Sequence, residues 1–349
     1  MSDRLRILVC GPGLIGRKHA QLIMQSDHCE LAALVGPDGG DNLSFASDCG
    51  VPLYDRLDEA VSNARVDAVI LSSPNAFHHE QALFCIRNKI PVLVEKPLTD
   101  DIKHAAMLVD EAIKRDVPVL VGHHRAHSPL LETACEFLSS PAFGRMVCVQ
   151  ASALFYKPAH YFIDGPWRAL KGGGPLLINM IHEVGLLRYF CGEISAVFAA
   201  AGSHIRGFEV EDTVAITIEF SSGVLGNFLL SDTVASSKSW EMTSGENSAY
   251  PFFPDEYCYH FGGTRGSLDF PSMHVRTYDA DTDPSWWRAF ETDRLLTKRA
   301  DPLARQLDHF VDVARGVVTP KVSALDGYKN MLIVQAISDS ISKRARISI

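Results

Sequence analysis

One passage restricts this chain more than any other. A β-branched run, RILVCG (6–11), leads through Gly11-x-Gly13-x-x-Gly16 straight into a helix pattern from Leu14 to Ser26. Glycines at this spacing are common in isolation, but between a strand and a helix they form the turn that seats a pyrophosphate on a helix N-terminus. Gly11 permits the tight turn, Gly13 lets the backbone approach the phosphates, and Gly16 allows close packing of helix on strand. Leu14 and Ile15, which open the helix, complete the expected cofactor contact. An acidic residue is expected about twenty positions further on, where it binds the adenosine ribose hydroxyls. The second strand ends Leu34-Val35-Gly36-Pro37-Asp38, so glycine holds that place. Asp38 stands two residues later, as a ribose contact or as a solvated turn residue. No arginine or lysine follows in this loop to clamp a 2′-phosphate, which favours NAD and leaves NADP open.

The alternation continues beyond the first unit of strand, turn and helix. CELAALVG (29–36), VDAVILSS (66–73), PVLVEKP (91–97) and VPVLVG (117–122) read as strands, with helices over 76–88 and 103–116. Near-continuous apolar strands joined by helices indicate a parallel sheet covered on both faces. After about residue 123 the pattern changes. In 212–233, Val214, Ile216, Ile218 and Phe220 share one face against Ala215, Thr217 and Glu219, and Ser221-Ser222-Gly223 marks a hairpin turn. MVCVQASALF (146–155) alternates along much of its length, 234–260 reads as a long loop, and 301–316 and 326–343 read as helices. The expectation is α/β plus α+β. Residues 1–122 form a Rossmann domain with a doubly wound parallel sheet, and 123–349 a substrate-binding domain on an open, mostly antiparallel sheet.

Composition decides the class of partner. The 349 residues suit two domains of roughly 150 residues each. A balance of 33 basic against 42 acidic residues gives a net charge of −9. That argues against duplex DNA or an anionic membrane, either of which needs a cationic footprint. No apolar run approaches the ~18 residues of a membrane span. Arg4 and Arg6 before an apolar stretch imitate a signal peptide, but Gly11, Pro12 and Gly13 interrupt it and no small-residue cleavage site follows. The eight cysteines are scattered without a C-x-x-C pair. Reduced thiols in a cytoplasmic protein are therefore expected, with neither a disulfide framework nor a zinc site. His123, His124 and His127 have ligand-like spacing but no distinct carboxylate partner, so no metal is expected.

The segments that carry chemistry follow the dinucleotide turn. SPNAFHHEQA (73–82) and VEKPLT (94–99) lie at strand ends, on the edge where open α/β sheets bind ligands. A residue before proline is sterically restricted, so Lys96 is held more firmly than a loop lysine. Partial burial and a cationic nicotinamide nearby would both lower its pKa, suiting it to hydrogen-bond a reacting hydroxyl. Later, Gly172-Gly173-Gly174 precedes PLLINMIHEVGLLRYF (175–190), which reads as a helix starting at Pro175 with an apolar stripe of Leu177, Met180, Ile181, Val184 and Leu187. His182 falls off that stripe. Glu211-Asp212-Thr213 precedes a strand, and Gly263-Thr264-x-Gly266-Ser267-Leu268 follows. Together these segments resemble the Gfo/Idh/MocA family of sugar and cyclitol oxidoreductases over nearly the whole chain.

The resemblance implies that Lys96 meets the substrate oxygen, often beside a cis Lys-Pro bond, and that His182 takes a hydroxyl proton near neutral pH. It places cofactor contacts at Ser73, Pro74, Asn75, His78, Glu95 and Lys96, and ligand contacts at Lys157, Trp167 and Arg168 ahead of the triple glycine. Arg125, with His123 and His124 after the last strand of the first domain, is a further expected substrate contact. The chain also departs from the family pattern, since members commonly carry acidic residues four before and three after the histidine. Here those positions are Ile178 and Gly185, and Asn179 is expected to bind substrate through a neutral hydrogen bond instead. Losing both carboxylates points to a wider, less anionic pocket and a bulkier or acidic substrate. The expected function is reversible hydride transfer between a secondary hydroxyl of a sugar, cyclitol or related ring and the nicotinamide of NAD. The alternatives are an NAD-dependent glycosidase, which uses transient oxidation, and a non-catalytic dinucleotide-binding regulator. The resemblance further implies a homodimer or homotetramer assembled through the second-domain sheet.

Overall fold

The computed structural model describes residues 4–349. They fall into two compact units, Met1–His127 with Pro302–Met331 and Ser128–Asp301 with Leu332–Ile349. The first unit holds six strands, β1 (Leu5–Cys10), β2 (Cys29–Val35), β3 (Leu53–Tyr54), β4 (Ala68–Leu71), β5 (Val92–Glu95) and β6 (Val119–Gly122). They are parallel throughout and ordered β3-β2-β1-β4-β5-β6. The order reverses between β1 and β4, so the ligand crevice of such a sheet lies outside their carboxyl ends. Ile7 to Cys10 and Ala68 to Leu71 are fully buried, which is why these strands read as unbroken apolar runs. The strand missed from sequence, β3, has only two residues and therefore no periodicity to detect.

The segment Pro302–Met331, expected in the second domain, packs with the first unit. The helix Pro302–Ala314 places Leu303, Leu307, Phe310 and Val311 in the same core as Ile7, Val9, Ile23 and Leu34, and Ser323 bridges to Leu120 of β6. An amphipathic pattern shows that a helix must be covered, but not which core covers it.

The second unit carries β7 (Met146–Leu154), β8 (Ile194–Gly202), β9 (Thr213–Phe220), β10 (Leu225–Ser231), β11 (Tyr259–Gly263), β12 (Gly266–Phe270), β13 (His274–Thr277), β14 (Glu291–Arg294) and β15 (Ile347–Ser348). Their order is β14-β13-β12-β11-β7-β10-β9-β8-β15, antiparallel except where β10 runs parallel to β7. The hairpin of β9 and β10 turns at Gly223, whose φ is +87°. Val214, Ile216, Ile218 and Phe220 face the core while Ala215 and Thr217 face outward, as the alternation requires. Trp240 anchors the intervening loop against Phe270, with ring centroids 5.7 Å apart.

The run 175–190 is not one regular helix. It opens as a π-helix, Leu176–Met180, and becomes α-helical at Ile181–Cys191. Leu177 is exposed rather than part of a buried stripe, and Glu183 is buried with its carboxylate accepting the Tyr259 hydroxyl. Among the described residues no helix is long and apolar enough to cross a membrane, and no group of three or more His, Cys, Asp or Glu could hold a metal ion.

Candidate active site

The nucleotide turn is built by steric demand. Gly11 has φ +81°, and a Cβ there would stand 2.5 Å from the Ser73 backbone nitrogen; a Cβ at Gly16 would stand 2.0 Å from the Gly11 carbonyl oxygen. Neither position admits a side chain. Gly13 is the N-cap of the helix Leu14–Gln25, provides no side-chain cap, and would place a Cβ in open space. The first N–H groups of a helix have no intrahelical partner, and Leu14 beside them is 88% exposed. This uncovered cradle of backbone donors fits a dinucleotide pyrophosphate.

The end of β2 explains the missing acidic residue. A Cβ at Gly36 would lie 2.6 Å from Pro12 Cδ, so the turn's own proline occupies the space. Asp38 is exposed beyond it. A cation that the sequence reading missed stands nearby. Arg17 donates from Nε to the Pro12 carbonyl at 2.9 Å and from Nη2 to the Asp41 carbonyl at 3.1 Å, and lies over the Phe45 ring. It comes from the first helix, so inspection of the loop after β2 could not find it.

Lys96 follows β5 directly, and its bond to Pro97 is cis. Glu95 turns inward, with Oε1 3.0 Å from His19 Nε2 and Oε2 accepting the Lys96 backbone N–H at 3.3 Å. Burial pushes the Glu95 carboxyl up, but the His19 bond and the charges of His19, His124 and Lys96 overcome it and hold the group below the usual carboxylate range. His78 is fully buried, its Nδ1 2.9 Å from the Pro97 carbonyl oxygen and its Nε2 2.9 Å from that of Ser73. Burial lowers its pKa despite both carbonyls. Glu95 and His78, expected as cofactor contacts, thus grip the Lys96–Pro97 turn from within. Main-chain groups at strand ends need partners, and these two side chains supply them.

Around this turn, Ser73 Oγ donates to Gln81 at 2.6 Å, while Pro74 and Asn75 remain exposed. Arg125 is only 4% exposed, a buried cation in the turn His124–His127 rather than an open anion contact. His123 is buried too, and burial pulls its pKa down to about 3, assisted by Lys96.

In the second unit His182, 8% exposed, sits where the π-helix gives way to the α-helix. Asn179, on the π-helical turn, accepts a hydrogen bond from Lys157 Nζ at 2.8 Å. Lys157 also lies 3.6 Å from Asp232 Oδ2, and Arg206 donates to Asp232 Oδ1 and to the Lys157 carbonyl, both at 2.8 Å. Burial brings the Lys157 ammonium down to about 8 against the pull of Asp232. The two expected substrate contacts, Lys157 and Asn179, are therefore one bonded pair backed by Asp232 and Arg206. The sequence reading named neither backing residue, because no local spacing links them. Arg168 lies 4.0 Å over the Tyr161 ring and donates to the Tyr161 carbonyl. Trp167 remains exposed. A Cβ at Gly173 would come within 2.6 Å of the Trp167 and Arg168 carbonyl oxygens, so the triple glycine packs on this pair.

Comparison with known proteins places these features in a family context. Residues 5–123 match the oxidoreductase family with NAD-binding Rossmann fold, and residues 131–269 match the GFO/IDH/MocA C-terminal domain. The chain is 28% identical to the 1,5-anhydro-D-fructose reductase of Ensifer adhaerens over 62% of its own length and 66% of that protein, just short of two thirds. It is 27% identical to the inositol 2-dehydrogenase of Pseudarthrobacter chlorophenolicus over 65% of its own length and 67% of that protein. The WlbA dehydrogenase of Chromobacterium violaceum, solved with NADH and UDP-GlcNAcA, shares the fold with a TM-score of 0.81 at 20% identity, over 100% of this chain and 97% of that one.

Proposed function

The chain belongs to the Gfo/Idh/MocA oxidoreductase family, and from that premise we propose that it transfers a hydride between NAD and a secondary hydroxyl of a sugar, cyclitol or related polyhydroxylated ring compound. NAD, when bound on the Gly11–Gly16 turn, supplies the hydride acceptor. The remaining work falls to the chain's own groups. Lys96 presents an ammonium to the substrate oxygen and stabilises the alkoxide charge as it develops, and His182 takes the hydroxyl proton. Lys157, positioned by Asn179, binds a ring oxygen or an acidic substituent, and Trp167 and Arg168 contact the nicotinamide side. The reading includes a cytoplasmic homodimer or homotetramer.

The observation that carries this reading is the double grip of Glu95 and His78 on the turn bearing Lys96, at the carboxyl end of β5. A lysine on a turn held by buried His78 and by Glu95 is a product of chemistry at the sheet edge rather than of surface solvation. The test is a reduction screen with NAD and with NADP against polyols, cyclitols, hydroxy acids, uronic acids and aldoses. Lys96→Ala and His182→Ala should each lower kcat by about 10²–10⁴ while NADH still binds. Net NADH formation marks a dehydrogenase. Glycoside cleavage without net NADH would mark the glycosidase, and NADH binding with no turnover in any arm would mark the regulator.

A further inference from the structure

The grip on Lys96 contains more than a mechanical support. His19 is fully buried on the helix of the dinucleotide turn, and its Nε2 meets Glu95 Oε1 at 3.0 Å. The other carboxylate oxygen accepts the Lys96 N–H. β6 makes room for this carboxylate at Gly122, where a Cβ would stand 2.8 Å from Glu95 Cδ. Three elements thus converge on one acid: the nucleotide helix, the end of β5 and the end of β6.

A carboxylate drawn largely out of water keeps its charge only if its surroundings compensate for lost hydration. Here His19 provides the hydrogen bond, and Lys96 and His124 provide favourable charge. The other titratable groups around it are His78, from the helix after β4, and His123, from the end of β6; Asp100 acts on His78. His78 and His123 are both held towards the neutral form by burial. Glu95 is therefore the anion whose charge acts on Lys96 while its Oε2 holds the Lys96 main chain.

We propose that Glu95 and His19 act as a positioning pair that keeps Lys96 in its ammonium form, coupling the helix of the dinucleotide turn to the charge on the catalytic lysine. This rests on the proposed role of Lys96 and deepens it. The ammonium is the form that can stabilise an alkoxide, and the carboxylate beside it maintains that form as pH rises. His19 acts one step further back, because its hydrogen bond fixes the carboxylate where its charge acts on Lys96.

The titration of Lys96 can be read without substrate, by trace acetylation of the intact protein with acetic anhydride across a pH series and peptide mass spectrometry. Glu95→Gln should move the Lys96 midpoint down by about one pH unit, roughly a tenfold gain in amine form at fixed pH, and His19→Phe should move it the same way by less. His19→Gln, which keeps a donor, should stay near the wild-type midpoint, and the double variant His19→Phe/Glu95→Gln should shift no further than Glu95→Gln alone. Far-UV circular dichroism confirms that each variant is folded. Should Glu95→Gln fail to fold, the contrast between His19→Phe and His19→Gln still reads the coupling. A Lys96 midpoint unmoved in folded variants, with only thermal stability reduced, would overturn the proposal. A shifted midpoint in an enzyme whose Lys96→Ala variant retains full turnover would instead defeat the catalytic role of Lys96 and leave the coupling standing.

Discussion

The largest buried polar groups of the two units that lie apart from Glu95 and Arg125 contrast in kind. In the first, buried imidazoles lean on main-chain carbonyls or stay neutral: His78 spans Ser73 and Pro97, while His123 and His127 are held at about 3 by burial. In the second, the buried polar cluster is ionic, with Asp232 between Lys157 and Arg206. Neutral imidazoles tolerate loss of a neighbour but not acid. An ion cluster tolerates mild acid but not loss of its carboxylate. The contrast can be tested separately in each unit, because all four tryptophans (Trp167, Trp240, Trp286 and Trp287) lie in the second. Tryptophan fluorescence reports that unit alone, while far-UV circular dichroism reports both.

The largest effect should come from Asp232→Ala. Removing the shared carboxylate leaves buried Lys157 and largely enclosed Arg206 without their anion, at a cost of about 3–5 kcal/mol. The fluorescence transition should fall well below its wild-type temperature; an unchanged transition would mean that the cluster is solvated in solution and the contrast false. Acid should act on the other unit. The pKa values of His123 and His127 fall from the ordinary 6.5 to about 3 on folding, so their stabilising contribution is complete above pH 6.5 and is lost as pH drops from there toward 3. By pH 5 each histidine costs about 2 kcal/mol. Circular dichroism should then show a melting component that falls ahead of the fluorescence transition, whereas coincident shifts would erase the distinction.

Gly11→Ala is smaller and sharper. Forcing a side chain into a +81° φ against the Ser73 backbone should cost about 1–3 kcal/mol. NADH affinity measured by fluorescence titration should drop about 10–100-fold, with the tryptophan transition of the second unit unmoved. Gly185→Asp should have the mildest consequence. Restoring a carboxylate three residues after His182 should weaken binding of an acidic substrate severalfold, by about 1 kcal/mol. Unchanged KM in the variant would remove the argument for an acidic substrate.

Much of the first unit was legible because its determinants are local. Strand, glycine turn and helix succeed one another within twenty residues, and Lys96 is marked by its neighbours Glu95 and Pro97. The inward turn of Glu95 and His78 was not legible, because a polar residue at a strand end has the same sequence signature whether it faces a ligand or the backbone beneath. In the second unit the alternation over 213–220 correctly separated the buried face of β9 from the open one. The π-helical turn before His182 escaped, since one extra residue per turn leaves no periodic trace in so short a run. Arg17 beside the β2 loop and Asp232 beside Lys157 also escaped, as their partners are brought together by chain crossings.

By itself, then, the order of residues determined the parallel nucleotide sheet, the glycine cradle and the one-sided hairpin. Each of those depends on steric or hydrophobic rules that act over a few neighbouring positions. Only the tertiary structure decided that 302–331 completes the first core, that Glu95 answers to His19, and that Lys157 answers to Asn179 and Asp232. Those pairings depend on the folded path of the backbone, which brings residues tens to hundreds of positions apart within hydrogen-bonding reach, where burial makes each of them need a partner.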